Sequence, residues 1–278
     1  MSYVFSVWLG DGSQSVCLKV DSSEMFGMMT ASRIEFKLRY LTHTVIYVLG
    51  FMLPWHRWVG FGERTTWVTL AGWLGRHGWV SFQTGSELVL SFGIACAVIG
   101  AWLRVWGSSY LGAGVVQDGA MHGDAGVADG PYRHVRNPLY LGTIFNTLAI
   151  ALLMAPAGAV FAVVGIVVIQ LRLIGGEERY LTETLGIPYL RYKAAVPRLV
   201  PSVAAKAPAS GVRPRWIEGM LAETYVIAVV VVFVVFGWRY DSWLMIKGVL
   251  ISFGLSMVVR GFLPGAKVGG AGTIEAEK

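Results

Sequence analysis

Two polar segments of an otherwise apolar chain carry the residue types that could do chemistry. The first, Gln117–Tyr140, reads QDGAMHGDAGVADGPYRHVRNPLY, and the second, Arg172–Pro201, reads RLIGGEERYLTETLGIPYLRYKAAVPRLVP. A glycine-rich backbone can approach a ligand closely, and its free amide groups can hold an anion. The second segment combines arginine, paired carboxylates and tyrosines, which suit the polar groups of a ligand. Together they are the candidate binding site of the chain.

Each segment also has a simpler interpretation. The first could be a polar loop between helices, and the second an amphipathic helix that Tyr189 and Tyr192 anchor at a membrane surface. The acidic pair Glu177 and Glu178 beside an otherwise basic membrane face fits the second interpretation less well. The residues alone leave both interpretations open.

The elements that position these segments are membrane helices. Of 278 residues, 55% are hydrophobic and 14% charged, and the mean hydropathy is +0.57, which is too apolar for a soluble domain of this length. Only helices or closed barrels satisfy the backbone inside lipid. We therefore predict an all-α, polytopic integral membrane protein with about six transmembrane helices. The predicted spans are Leu38–Pro54, Leu88–Trp106, Leu139–Met154, Ala157–Ile174, Leu221–Gly237 and Trp243–Val259.

The third and fourth spans should form a tight helical hairpin, because only Ala155 and Pro156 separate them and proline readily begins a helix. This hairpin brings Tyr140 and Arg172 to the same membrane face, so the two polar segments can share one pocket. The stretch Thr66–Phe82 contains Arg76 and His77 within an apolar, tryptophan-rich sequence, which favours an interfacial or re-entrant segment.

Lysine and arginine concentrate on one side of this arrangement, which predicts that both termini and the candidate site are cytoplasmic. The predicted outer segments keep only Arg57, Arg64, Arg76, Arg239 and Lys247. Membrane topology and anionic lipid headgroups then account for the net charge of +6. Nucleic-acid binding is not expected, and membrane lipids are the expected surroundings.

We divide the chain into three parts. Residues 1–30 are a polar N-terminal tail, expected to be poorly ordered, to which we assign no function. Residues 31–215 are the membrane core, with the cofactor site between residues 117 and 201, and residues 216–278 are a C-terminal transmembrane hairpin and tail. Cys17 lies in the tail and Cys96 in a span, so no disulfide framework is expected.

The motifs GPYRHVRNPLYLG at Gly130–Gly142 and EERYLTETLGIPYLRYKAAVPRLVP at Glu177–Pro201 resemble the signature of the isoprenylcysteine carboxyl methyltransferase family. That family shares a broad group with the phospholipid N-methyltransferases. The resemblance covers roughly Leu88 to Pro201, and two motifs occur in the right order around a short helical hairpin. It implies a membrane enzyme that uses S-adenosyl-L-methionine to methylate a lipophilic acceptor entering from the bilayer.

The resemblance also implies the residues of the cofactor site, and it implies no metal ligands. Gln117 precedes the glycine loop, and Asp124, Ala125, Gly126 and Val127 match a short binding segment of the family. The remaining matched residues are Tyr132, Asn137, Pro138, Leu139, Tyr140, Arg172 and Glu177.

Two positions depart from the family pattern. The usual histidine before proline is Asn137, which can donate a hydrogen bond but cannot serve as a base. The histidine that often begins the short binding segment is Asp124, and His122 lies two residues earlier. Proton transfer at position 137 is therefore not expected.

Methyl transfer from a sulfonium expels a neutral thioether, so positioning supplies most of the catalysis. A carboxylate acceptor, such as that of a prenylated cysteine, needs a cation, for which Arg136 and Arg133 are candidates. An amine must instead lose a proton, and Glu178 or His134 could accept it. Other N-, O- or S-methyl acceptors, such as phospholipids and small molecules, suit the same site.

Other classes of protein remain alternatives. Membrane reductases that use NADPH resemble this core and its Val-Pro tail, although they usually carry a different run of residues where this chain has Glu177 and Glu178. A non-catalytic protein with the same fold would explain Asn137, but the joint presence of Gln117, Tyr132, Tyr140 and Glu177 argues against it. A transporter is disfavoured, because no charged residue is expected deep in the spans.

Overall fold

The computed structural model describes residues 2–8, 15–21, 31–53, 64–111 and 129–262. Strands β1 (Ser2–Trp8) and β2 (Ser15–Asp21) form an antiparallel hairpin in the N-terminal tail, with Ser2 opposite Asp21. From residue 31 onward, every regular element of the described part is helical. The predicted helical class is thus confirmed for the membrane core, and the hairpin is an additional element.

Ten helices follow in chain order within the described residues. They are α1 (Arg33–Lys37), α2 (Arg39–Met52), α3 (Thr66–Arg76), α4 (Phe82–Leu111), α5 (Pro138–Ala151), α6 (Pro156–Leu185), α7 (Ile187–Ala195), α8 (Trp216–Ala222), α9 (Thr224–Val231) and α10 (Ser242–Phe262). A 3-10 turn, Gly130–Arg133, precedes α5, and α9 continues through π and 3-10 turns to Arg239.

Three of these helices, α4, α6 and α10, are long and apolar enough to cross a membrane, and the bent pair α8 and α9 could supply a fourth crossing. The six predicted spans are therefore not confirmed. Both α2 and α5 have 14 residues, which at about 1.5 Å per residue fall short of a hydrocarbon core of about 30 Å. The long apolar helices nevertheless support an integral membrane protein.

The predicted fifth span, Leu221–Gly237, is not one straight helix. Helices α8 and α9 meet at Glu223 with a bend of 74°. The carboxylate of Glu223 is buried against Arg104 of α4, with Nε and Nη2 donating at 2.6 and 2.9 Å. Ser108 also donates to Glu223, at 2.7 Å. The broken span thus carries a buried charge, paired with another inside the bundle, which the sequence analysis did not anticipate.

Helix α4 is the centre of the bundle and packs against α3, α5, α8 and α9. Its backbone approaches α5 closely at Gly100, where an added Cβ would lie 2.8 Å from the carbonyl oxygen of Gly142. A similar approach joins α2 to α6, because a Cβ at Gly158 would lie 1.9 Å from the Gly50 carbonyl oxygen. These glycine contacts fix the helices that carry the candidate site.

The predicted hairpin of spans three and four is present as α5 and α6. Residues Leu152–Ala155 form the turn, and Pro156 occupies the first turn of α6, where its missing N–H costs nothing. Helix α6 continues beyond the predicted end at Ile174 to Leu185. Because of this extension, Glu177 and Glu178 lie on a regular helix beside the start of α5.

Candidate functional site

The start of α5 places Tyr140 in the first helical turn. Pro138 occupies the first position of the helix, which suits its fixed φ angle. The preceding Asn137 is buried, and its amide Nδ2 donates to the carbonyl oxygen of Arg198 at 3.0 Å. The carbonyl oxygen of Leu139 accepts a hydrogen bond from Nη1 of Arg104 at 3.2 Å. Asn137 therefore acts here as a backbone anchor, in keeping with its inability to serve as a base.

The two polar segments predicted to share a pocket lie side by side. Residues 132–137 of the first segment bond to residues 192–206 of the second and the following linker. These bonds are Tyr192 Oη to Tyr132 O (2.8 Å), Arg136 N to Pro197 O (2.9 Å), Ser202 N to His134 O (2.9 Å) and Lys206 N to Arg133 O (2.8 Å). The described residues of both segments thus form one folded unit at the end of the α5–α6 hairpin.

Asp129 anchors the beginning of this unit. Its carboxylate accepts hydrogen bonds from the backbone N–H groups of Ser210 and Val212 and from the Ser210 hydroxyl, at 2.8 to 2.9 Å. Burial raises the pKa of Asp129, but these donors outweigh it and hold the pKa below its usual value. The linker after residue 200 is therefore fastened to the site by an ionised carboxylate.

The central contact of the site joins Tyr140 to Glu177. The Tyr140 hydroxyl donates to Oε2 of Glu177 at 2.7 Å, from α5 to α6. Both residues also interact electrostatically with Arg39 of α2. Both side chains were predicted from the sequence to bind the same cofactor, and in the structure they are in direct contact.

Tyr132 offers an unused hydrogen-bonding group beside this pair. Its side chain is buried, and its hydroxyl has no hydrogen-bond partner within the described residues. Burial raises the pKa of Tyr132 well above its usual value, and the charge of Glu177 adds to this effect. A protonated, buried and unpartnered phenol is a donor available to a ligand.

Glu178, the proposed proton acceptor for an amine, faces away from Tyr140 and is surrounded by cations. Its buried carboxylate lies 2.6 Å from Arg198, 3.2 Å from Arg136 and 3.6 Å from Lys193. Three cations stabilise the charged carboxylate and oppose its protonation. These contacts favour a role in holding the second segment in place.

The two arginines proposed to hold a carboxylate acceptor also have protein partners. Arg136 donates to the carbonyl oxygen of Lys193 and pairs with Glu178. Arg133 donates from Nε to the carbonyl oxygen of Ala207 at 2.8 Å. Both side chains thus connect the first segment to residues 193–207.

Arg172 pairs with a residue that the sequence analysis did not select. Its Nη2 donates to Oε1 of Glu35 on α1 at 2.8 Å, and the Arg172 carbonyl oxygen accepts from the Ala31 N–H at 2.9 Å. Ser32 caps α1 in a reciprocal hydrogen-bond pair with Glu35. The capping sequence Ser32–Glu35 was the available signal for a helix here, but nothing in the sequence pointed to Arg172 as the partner.

The remaining predicted cofactor residues lie outside the described part of the chain. They are Gln117, Asp124, Ala125, Gly126 and Val127. Their assignment stays a prediction from the family resemblance.

A concave region lies at the end of the helices opposite Tyr140. A cavity of about 400 Å³ is bounded by Arg64, Met154, Tyr240 and Trp243, among other residues. It contains none of the predicted site residues and lies beside the turn between α5 and α6. The Tyr140 end of the hairpin remains the candidate site, because the functional groups selected from the sequence meet there.

The side chains at the Tyr140 end fit S-adenosyl-L-methionine chemically. Glu177 supplies carboxylate oxygens that can accept from an ammonium or from ribose hydroxyls, and Tyr132 supplies a free phenolic donor. Bound there, the cofactor would supply an activated methyl group on a sulfonium. The protein would position the acceptor and exclude water.

Comparison with known families supports this assignment. Residues 88–186 match the family model described as phospholipid methyltransferase. The segment runs from α4 through the α5–α6 hairpin, and the match confirms the resemblance to the group that contains this family and the isoprenylcysteine carboxyl methyltransferases. No curated protein and no solved structure matched the chain in the same comparisons.

Proposed function

We propose that this membrane protein transfers a methyl group from S-adenosyl-L-methionine to the polar group of a lipophilic acceptor that enters from the bilayer. Methyl transfer is the activity of the family that residues 88–186 match. Helices α4, α6 and α10 are long and apolar enough to reside in lipid. A membrane-embedded enzyme can take an acceptor sideways from the bilayer while it takes a water-soluble cofactor from the cytoplasm.

The hydrogen bond between Tyr140 and Glu177 is the observation that carries the proposal. It places a carboxylate and a phenol at one end of the α5–α6 hairpin, within the matched segment and near the unpartnered hydroxyl of Tyr132. In this proposal, Glu177 binds polar groups of the cofactor and Tyr140 orients Glu177. Tyr132 donates to the cofactor from its unpartnered hydroxyl.

The matched family favours a phospholipid amine as the acceptor, and the carboxylate of a prenylated cysteine is the other candidate. The test is an assay with methyl-labelled S-adenosyl-L-methionine and the purified protein in lipid nanodiscs. One arm contains phosphatidylethanolamine, and the other contains an S-prenylcysteine. We expect label in the organic phase of one arm, reduced at least tenfold by Glu177→Ala.

Tyr240→Phe, at the opposite end of the bundle, is the matched control and should leave transfer unchanged. The proposal fails if the protein binds the cofactor but labels neither acceptor nor any lipid of its native membrane. That result would indicate a protein that keeps the cofactor site and has lost the chemistry.

A further inference from the structure

The histidine on α2 has an unused nitrogen in the interior of the protein. The Nδ1 atom of His43 forms a hydrogen bond with the carbonyl oxygen of Arg39, one turn earlier. A carbonyl oxygen only accepts, so Nδ1 must carry the proton. In the neutral ring Nε2 therefore has a free lone pair. This atom is buried and has no hydrogen-bond partner among the described residues.

The packing of α2 places His43 just below the candidate site. Helix α2 runs antiparallel to α6, since Gly50 meets Gly158 and Ile46 meets Gly165. It therefore runs in the same direction as α5, the other arm of the hairpin. The hydroxyl groups of Tyr47 and Thr147 lie 2.6 Å apart and connect the two helices.

One turn earlier along each helix, toward the site, lie His43 of α2 and Thr143 of α5. Arg104 donates to Thr143 at 2.7 Å and also interacts electrostatically with His43, which indicates that His43 and Thr143 are near each other. A further turn leads to Arg39 and Tyr140. His43 therefore lies one helical turn, about 5.4 Å of rise, further into α2 than Arg39, which interacts electrostatically with Tyr140 and Glu177.

At this depth His43 would contact a lipophilic acceptor rather than the cofactor. The cofactor groups proposed above bind at the level of Tyr140, and an acceptor from the bilayer must approach the methyl group from the membrane side. A buried nitrogen without a partner needs an explanation, because lost hydrogen bonds are costly in apolar surroundings. A hydrogen-bond donor on the acceptor would satisfy it.

We propose that His43 is a catalytic base, whose Nε2 accepts the proton of an acceptor with a reacting amine or hydroxyl group. The inference rests on the proposed methyl transfer. As the nitrogen or oxygen of the acceptor bonds to the methyl carbon, the bond from carbon to sulfur breaks and its electron pair stays on sulfur. The proton of the acceptor passes to Nε2, and the resulting imidazolium later releases it to water.

The surroundings of His43 agree with a neutral ring. The charged groups that act on it are Arg39 of its own helix and Arg104 of α4, and both are cations, which disfavour a second proton on the ring. The titratable groups of the neighbouring helices at this end include Glu35 of α1, Tyr140 of α5, and Arg172 and Glu177 of α6. Tyr140 bonds to Glu177, and Arg172 pairs with Glu35. Of the two bases predicted from the sequence, Glu178 is held by three cations, and Nδ1 of His134 bonds to the carbonyl oxygen of Ser202 at 2.9 Å.

His43→Asn is the direct test, because its amide can keep the bond to the Arg39 carbonyl but provides no base. His77→Asn is a matched control, since Nδ1 of the exposed His77, at the C-terminal end of α3, bonds the carbonyl oxygen of Trp73 four residues earlier in the same way. With phosphatidylethanolamine as acceptor, we expect His43→Asn to lower kcat by about 100-fold or more. Affinity for S-adenosyl-L-methionine should stay within twofold, and His77→Asn should keep full activity.

The pH profile separates a base from a merely structural residue. The wild-type rate should fall on the acidic side as the histidine becomes protonated, and His43→Asn should lose this limb and rise with pH as the acceptor ionises unaided. Equal kcat in His43→Asn and wild type would overturn the proposal. So would transfer that occurs only to the S-prenylcysteine carboxylate, which has no proton to lose.

A second readout does not depend on activity. Nitrogen NMR of protein labelled at histidine, with His43→Asn to assign the signal, should show a protonated Nδ1 and an unprotonated Nε2 at neutral pH. The opposite tautomer would overturn the proposal. If the protein binds no S-adenosyl-L-methionine, the proposed function fails on that ground, whereas the NMR result still decides the state of His43.

Discussion

At the level of single residues, the hydrogen bond from Tyr140 to Glu177 connects positions 37 apart in the chain. Both residues were selectable from the sequence because they lie in recognisable motifs on either side of a short hairpin. The environment of Glu178 could not be predicted from the sequence, because Arg136 and Arg198 reach it from two different segments. Adjacent glutamates on one helix thereby acquire different surroundings, one beside the candidate site and one within a cationic cluster.

Glu178→Gln tests this division. The substitution leaves Arg136, Lys193 and Arg198 without their shared anion, and loss of one side of a buried ion pair costs about 3–5 kcal/mol. We expect a marked fall in Tm in detergent, with residual methyl transfer in the folded fraction. Unchanged Tm together with complete loss of transfer would contradict the structural role and return Glu178 to the reacting groups.

At the level of elements, the C-terminal hairpin is fastened to the core through Glu223. The sequence predicted a straight span here, since an apolar window does not show where a single carboxylate finds its partner. Arg104 lies 119 positions away, and pairing with it places the charge at a break between α8 and α9. An added Cβ at Gly219 would lie 2.8 Å from the Ser109 backbone nitrogen, so α8 also packs directly on α4.

Glu223→Gln should therefore destabilise the whole bundle. We expect a loss of about 3–5 kcal/mol in the free energy of unfolding, because Arg104 would keep its charge without a paired anion. Glu218→Gln, on the adjoining helix α8, is the matched control, since the pair of Glu218 with Arg215 is exposed and worth at most about 1 kcal/mol. Thermal unfolding of both variants in detergent measures the difference, and equal shifts would show that the buried pair does not hold the hairpin.

At the level of the whole molecule, composition was sufficient to predict a helical membrane protein and insufficient to count its spans. Predicted spans one and three became the 14-residue helices α2 and α5. A hydropathy window measures the length of an apolar stretch and does not show where a helix ends. The end of α5 is set by the turn at Leu152–Ala155. The hairpin between α5 and α6 was predictable, because Pro156 marks it in the sequence.

Topology remains a prediction from the distribution of lysine and arginine, and cysteine labelling tests it. Val203 and Trp79 are both exposed. Val203 lies in a segment predicted to be cytoplasmic, and Trp79 lies in one predicted to be external. In right-side-out vesicles, an impermeant maleimide should label Trp79→Cys and not Val203→Cys, with Cys17→Ser as background and Cys96 buried. Labelling of both positions from one side would contradict the predicted crossing by α4.

The central claim is that the Tyr140 end of the hairpin binds S-adenosyl-L-methionine, and calorimetry of the purified protein in detergent tests it most directly. We predict micromolar binding of S-adenosyl-L-methionine that Tyr140→Ala and Glu177→Ala both abolish and Tyr240→Phe preserves, with no binding of NADPH. Binding of NADPH in place of S-adenosyl-L-methionine would contradict the claim and assign the site to a reductase.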